Sequence, residues 1–127
     1  MAEPHPFRVA AEAKDVELMT ETLREDVVLH SPILFRGFEG REIVGQVLSH
    51  VAATLEDLTY VGELQDGDSV CLRFQAKVGE LELEGIDYLT LDAEGRVADL
   101  TVFMRPLKAV NAFNELMKAR LEAAQSL

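Results

Sequence analysis

The spacing of apolar residues along the chain changes once, from a helical period to an alternating one. In the first part, apolar side chains recur at intervals of three and four residues, which is typical of one face of a helix. This pattern predicts helices at Phe7–Ala13, Asp15–Leu23 and Gly40–Thr54. Between them, Val27–Ser31 is predicted to be a short strand, which Pro32 ends.

From Asp57 onward, apolar and polar residues alternate, as in strands with one buried face. The predicted strands are Leu58–Leu64, Ser69–Val78, Leu81–Leu91 and Arg96–Arg105. Glycine-containing turns separate them, so we expect an antiparallel meander. A closing helix follows from Pro106 to about Ala124, with an apolar stripe. The predicted fold class is α+β.

Length and composition limit the chain to one domain with an ordinary core. Its 127 residues are 48% hydrophobic and 28% charged. The chain contains twelve Lys and Arg and 23 Asp and Glu, which gives a formal charge of −11. This charge disfavours binding to nucleic acid or to an anionic membrane surface. The sequence shows neither a long apolar run nor the basic start of a signal peptide, so we expect a cytoplasmic protein.

Cysteine and histidine are too few for the usual metal chemistry. Cys71 is the single cysteine, so an internal disulfide is excluded. No Cys and His residues stand at metal-ligand spacing. We therefore expect no metal site and no cofactor.

One acidic residue falls among apolar ones. With Gly79-Glu80 as a two-residue turn, stepping by two along the hairpin pairs Phe74 with Gly85 and Leu72 with Asp87. Asp87 then lies on the apolar face, where its charge must be paired or its pKa must rise until the carboxyl is neutral and can donate a hydrogen bond. Asp87 is therefore the first candidate for a functional residue. The alternative is an ordinary buried contact with Arg73, Arg105 or a backbone amide.

The order of elements and three short stretches resemble the SnoaL-like, nuclear-transport-factor-like superfamily. The stretches are EDVVLHSP at residues 25–32, EGID at 84–87 and DAEGRV at 92–97. The resemblance implies a cone: a strongly curved antiparallel sheet wrapped around the N-terminal helices, closed by a C-terminal helix, with an apolar pocket inside and commonly a homodimer. The superfamily includes ketosteroid isomerases, polyketide cyclases, epoxide hydrolases, dehydratases and proteins that only bind, so the fold does not define the function.

Carried over residue by residue, the ketosteroid isomerase pattern matches at one functional position. Its oxyanion-binding aspartate falls on Asp87, whereas its general base falls on Ser31 and its first-helix tyrosine on Phe7. Steroid isomerisation is therefore not expected. The resemblance also implies that three residues of the last strand face the pocket: Leu100, Val102 and Met104. A bulge near Gly95 would reverse that facing.

Two further residues are candidates for catalysis beside Asp87. Histidine is a common proton carrier in catalysis, and the cyclases of the superfamily pair an acid with a histidine, but alternation places His30 opposite Val27, Leu29 and Ser31. Ser31 is the other candidate. The residues expected to bind an apolar ligand are Phe7, Leu72, Phe74, Leu89, Leu100, Val102 and Met104.

Two functions remain open. The first is a binding protein for an apolar, carbonyl-bearing small molecule, and the alternative is an isomerase, cyclase or hydratase-type enzyme that uses Asp87. The meander leaves one sheet face uncovered, with apolar residues such as Val61, Ile86 and Tyr88 on it. We therefore expect a homodimer through that face.

Overall fold

The computed structural model describes residues 3–125 and contains helices and strands in the predicted order. The helices are α1 (Pro6–Glu12), α2 (Val16–Glu21), α3 (Arg41–Thr54) and α4 (Leu107–Gln125). The strands are β1 (Leu23–His30), β2 (Phe38–Glu39), β3 (Glu56–Asp66), β4 (Ser69–Val78), β5 (Leu81–Leu91) and β6 (Val97–Arg105). None of the helices in this part of the chain is both long and apolar enough to cross a membrane.

The strands form a single curved sheet, and the predicted α+β class is confirmed. The order is β2-β1-β6-β5-β4-β3, in which β1 and β6 are parallel and the other neighbours antiparallel. The predicted hairpin register is also confirmed, because Phe74 pairs with Gly85 and Leu72 with Asp87. Counting residues by two predicts this register correctly because the ten consecutive pairs between β4 and β5 contain no bulge.

The start of the sheet differs from the prediction. The helix expected at Asp15–Leu23 ends at Glu21, and β1 begins at Leu23 rather than at Val27. Thr22 alone separates α2 from β1, because its carbonyl already accepts a hydrogen bond from the Val97 N–H of the sheet. Strand β2 was not predicted, since two residues are too few to show alternation.

The helices cover the inner face of the sheet, and the core lies between them. Glycine at position 85 allows a close approach there: a Cβ atom would lie 2.6 Å from Phe74 Cζ and would overlap the Phe103 carbonyl oxygen. The Phe74 ring therefore packs over the β5 backbone two residues before Asp87. At one end of the sheet the interior is filled by side chains with no exposed surface, namely Leu23, Val70, Leu72, Leu89 and Val97.

Candidate functional site

A cavity of about 230 Å³ lies between the inner face of the sheet and the helices. Most of its wall is apolar and comes from every helix and from all strands of the sheet. Six lining residues carry polar side chains: Lys14, Ser31, Tyr60, Asp87, Asn114 and Lys118. Such a cavity, apolar with a few polar groups, is the usual form of a small-molecule site.

Tyr60 and Asp87 form a buried polar pair in this cavity. The Tyr60 hydroxyl donates a hydrogen bond of 2.6 Å to Asp87 Oδ2. The two residues are 5% and 7% exposed, respectively. Because Tyr60 occupies one carboxyl oxygen, the other is left to interact with a molecule in the cavity.

Helix α1 fixes the position of Tyr60 on the edge strand β3. The Tyr60 N–H donates to Glu12 Oε2 at 3.1 Å, and Arg8 donates to the Tyr60 carbonyl at 3.3 Å. The Arg8 guanidinium also lies 5.9 Å from the centroid of the Tyr60 ring, and the Phe74 ring meets that ring edge-on at 6.1 Å. Backbone groups that an edge strand would leave unpaired are thus used to hold the phenol against Asp87.

Burial changes the acidity of both groups. Desolvation raises the pKa of Asp87 to about 6, although the hydrogen bond from Tyr60 opposes the shift. Desolvation and the neighbouring Asp87 raise the pKa of Tyr60 well above its usual value. Tyr60 therefore stays a donor, and Asp87 changes between a neutral donor and an anionic acceptor near neutral pH.

The arginines considered as partners of Asp87 bind another residue. Arg73 and Arg105 contact the two oxygens of Glu84, at 3.0 and 2.7 Å. Glu84 lies on the opposite face of β5, and these contacts hold its pKa below the usual value. The buried carboxyl of Asp87 therefore faces a tyrosine rather than a cation.

Ser31 lines the cavity but is engaged in the loop that follows β1. Its Oγ accepts hydrogen bonds from the Ile33 and Leu34 N–H groups, at 3.3 and 3.1 Å. With two donors on its oxygen, the hydroxyl is a poor proton acceptor and keeps one proton to donate.

His30 lies outside the cavity, on the outer face of the sheet. Its Nε2 is 3.0 Å from Asp99 Oδ2, and Thr101 donates to the other Asp99 oxygen at 3.1 Å. The alternation of β1 continues to its last residue, so neither Pro32 nor a bulge turns the ring inward. The structure therefore brings Asp87 and Ser31 to one cavity and leaves His30 out of it.

The predicted ligand-binding residues divide into two groups. Five of them line the cavity: Phe7, Phe74, Leu100, Val102 and Met104. Leu72 and Leu89 do not, because both have no exposed surface and belong to the filled end of the core. Leu100, Val102 and Met104 of β6 face the cavity, as the resemblance implied. The register shift between β5 and β6 lies between Thr90 and Leu91.

Three polar lining residues besides Tyr60 were not singled out from the sequence: Lys14, Asn114 and Lys118. Tyr60 pairs with Phe74 and so shares the inner face of the sheet with Asp87. Register shifts on both sides of that pair hide it from simple alternation. Within residues 3–125, no three His, Cys, Asp or Glu side chains are grouped to hold a metal ion.

Fold and cavity together define a cone-shaped α+β protein with an internal apolar site. The model of the SnoaL-like domain family matches residues 7–100. The chain belongs to this family.

Two solved structures are similar in both sequence and fold. A protein with a cystatin-like fold from Silicibacter pomeroyi is 34% identical with a TM-score of 0.88, over 93% of this chain and 86% of that one. A steroid delta-isomerase from Pseudomonas aeruginosa is also 34% identical with a TM-score of 0.88, over 94% and 88%. A de novo designed protein with a curved β-sheet is 16% identical with a TM-score of 0.69, over 91% and 99%, a likeness of fold alone. The comparison with curated proteins returns no match.

Proposed function

We propose that the protein binds an apolar small molecule through a carbonyl oxygen, which accepts a hydrogen bond from Asp87. The observation that carries the proposal is the Tyr60–Asp87 pair, 2.6 Å apart, in a cavity with an otherwise mostly apolar wall. A protonated carboxyl in such surroundings is a strong donor to an oxygen that is shielded from water. The apolar wall supplies affinity and the pair supplies orientation.

A second candidate is an enzyme of the isomerase, cyclase or hydratase type that uses the same carboxyl. The pKa of about 6 suits a group that takes and returns a proton near neutral pH. The similarity to a steroid delta-isomerase points the same way. Among the described lining residues, however, Asp87 is the sole carboxyl and no histidine is present. Asp87 would have to act without a second carboxyl or a histidine to share the proton transfers, so we favour binding.

Titration with α-tetralone, a two-ring ketone, tests the binding proposal. Below pH 6, where Asp87 is mostly protonated, we expect saturable one-site binding in a calorimeter, because the ketone has an apolar body and one acceptor oxygen. Failure of α-tetralone to bind would contradict the proposal. In D₂O, NMR of the bound ketone separates the two candidates. If the protein only binds the ketone, the protons next to the carbonyl exchange with deuterium no faster than they do with Asp87→Asn. If the protein is an enzyme of this type, they exchange faster.

We also propose that the outer face of the sheet binds a second copy of the chain. Apolar side chains on β5 and β6 stand side by side there, since Ile86 pairs with Phe103 and Tyr88 with Thr101. Phe103 is 57% exposed and Ile86 is 38% exposed. Arg73 and Arg105 flank this patch together with Glu84, so the surface carries both charges and suits a two-fold contact with itself.

Sedimentation velocity tests this assembly. We expect a dimer at micromolar concentration and a monomer for Phe103→Glu, because the substitution buries a charge in the contact. Leu18→Glu, on the exposed side of α2, is the matched control and is expected to remain dimeric. A wild-type monomer at micromolar concentration would overturn the proposal.

A further inference from the structure

The charge around the cavity is opposite to the charge of the chain. The whole sequence carries a formal charge of −11, yet the charged residues that line the cavity are two lysines and Asp87. Asp87 is buried against Tyr60, whereas Lys14 and Lys118 are exposed and therefore mark the mouth. With Asp87 protonated, the lining is cationic.

The elements that carry the two lysines meet the C-terminal end of α3. Lys14 Nζ donates to the Leu55 carbonyl at 2.9 Å, directly after that helix. On α4, Met117 Sδ accepts a hydrogen bond from Thr54 Oγ1 at 3.6 Å, so the part of α4 that carries Lys118 packs against the same helix end. Two lysines from separate elements thus line one cavity, and the elements that carry them both contact the end of α3.

Asn114 completes this group, which we call the polar rim: Lys14, Asn114 and Lys118. Asn114 lies one turn before Lys118 on α4, and its amide forms no side-chain hydrogen bond within residues 3–125. The Lys118 ammonium lies 4.0 Å from Glu115 Oε1, and its side chain is 61% exposed. The Asn114 amide and the exposed Lys118 ammonium, with its long contact to Glu115, are therefore available to a ligand that leaves the cavity at this point.

The size of the cavity determines which part of a ligand reaches the rim. At about 230 Å³ it is roughly half as large again as a protein cavity of about 150 Å³ that holds benzene. One or two rings fill such a volume, whereas the four fused rings of a steroid exceed it. A substituent on the ring system would extend to the mouth.

We propose that the ligand is a one- or two-ring ketone that bears a carboxylate, with its carbonyl oxygen at Asp87 and its carboxylate at the polar rim. This inference rests on the proposed function and adds the charge of the ligand to it. Lys14 and Lys118 neutralise the carboxylate, and the Asn114 amide donates a hydrogen bond to it. The rim also offsets the repulsion that an anion meets from an acidic protein.

Benzoylbutyric acid and its methyl ester form a matched pair of probes, since both carry the same aryl ketone and differ in charge at the tail. We expect the acid to bind about fivefold more tightly at low salt, the size of a partly exposed ion pair. Added salt should reduce the preference. Lys118→Met should remove most of it, and the fold of that variant should persist because Lys118 holds no buried contact.

Lys108→Met is the control, an exposed lysine of α4 that does not line the cavity, and it should keep the preference. Equal affinity for acid and ester, or a preference that survives Lys118→Met, would overturn the inference. In either case, if α-tetralone still binds, the proposed function stands. If α-tetralone also fails to bind, the proposed function falls together with the inference.

Discussion

Asp87→Leu is expected to weaken the binding of α-tetralone by about 10- to 100-fold, whereas Asp87→Asn is expected to keep the affinity within a few fold. Leucine has no donor for the ketone oxygen and also leaves the Tyr60 hydroxyl without its 2.6 Å partner. Asparagine keeps the size of the side chain, an oxygen for Tyr60 and an N–H donor for the ligand. Isothermal titration of the three proteins below pH 6, where the wild-type carboxyl is mostly protonated, measures the difference.

Folding must be controlled in this comparison, because Asp87→Leu leaves a buried hydroxyl unpaired. The double variant Asp87→Leu/Tyr60→Phe removes both polar groups and should restore stability without restoring affinity. If Asp87→Leu bound the ketone as tightly as the wild type, the pair would be a structural contact and not the ligand site.

The stability of the protein is expected to depend on pH through Asp87, in the direction opposite to that of a paired carboxylate. Burial raises the pKa of Asp87 from 3.8 in the unfolded chain to about 6 in the folded protein. Between these values the folded protein holds a proton that the unfolded chain has lost, so its stability falls as pH rises. The expected loss is about 3 kcal/mol, complete above about pH 7.

Asp87→Asn isolates this contribution, because it cannot titrate. Urea unfolding of both proteins should show that the free energy of unfolding of the wild type falls relative to the variant between about pH 4 and about pH 7. Glu82→Gln changes an exposed carboxyl on the same strand, and its free energy of unfolding should show the same pH dependence as that of the wild type. A constant difference between the wild type and Asp87→Asn over this range would show that the pKa of Asp87 is not raised.

The sequence predicted the strands and the position of Asp87 because both depend on a local period. The β4–β5 hairpin has a short turn and no bulge, so counting by two from Gly79 reaches Asp87 on the correct face. The same period kept His30 on the outer face. In β6 the register shifts opposite Thr90 and Leu91 of β5. Counting along a strand does not decide which face a residue is on beyond such a shift, so the facing of β6 had to come from the resemblance to a family.

Neither the contact of Tyr60 with Asp87 nor the polar rim could be predicted from the sequence, because both depend on packing between distant segments. Tyr60 reaches Asp87 across β4, on an edge strand with two register shifts. Lys14 and Lys118 are 104 positions apart in the printed sequence and line one cavity because their elements pack against the end of α3. Leu72 and Leu89 share the face of Asp87, but only the three-dimensional packing shows which end of the cone is filled.

The central claim is that protonated Asp87 donates a hydrogen bond to a ketone in the cavity, and the carbon of that carbonyl reports on it directly. In the ¹³C spectrum of carbonyl-labelled α-tetralone bound to the protein, we predict a resonance downfield of its position in cyclohexane. The displacement should diminish as pH rises through about 6, where Asp87 loses its proton. A bound resonance at the cyclohexane position, or the same displacement in Asp87→Leu, would contradict the claim.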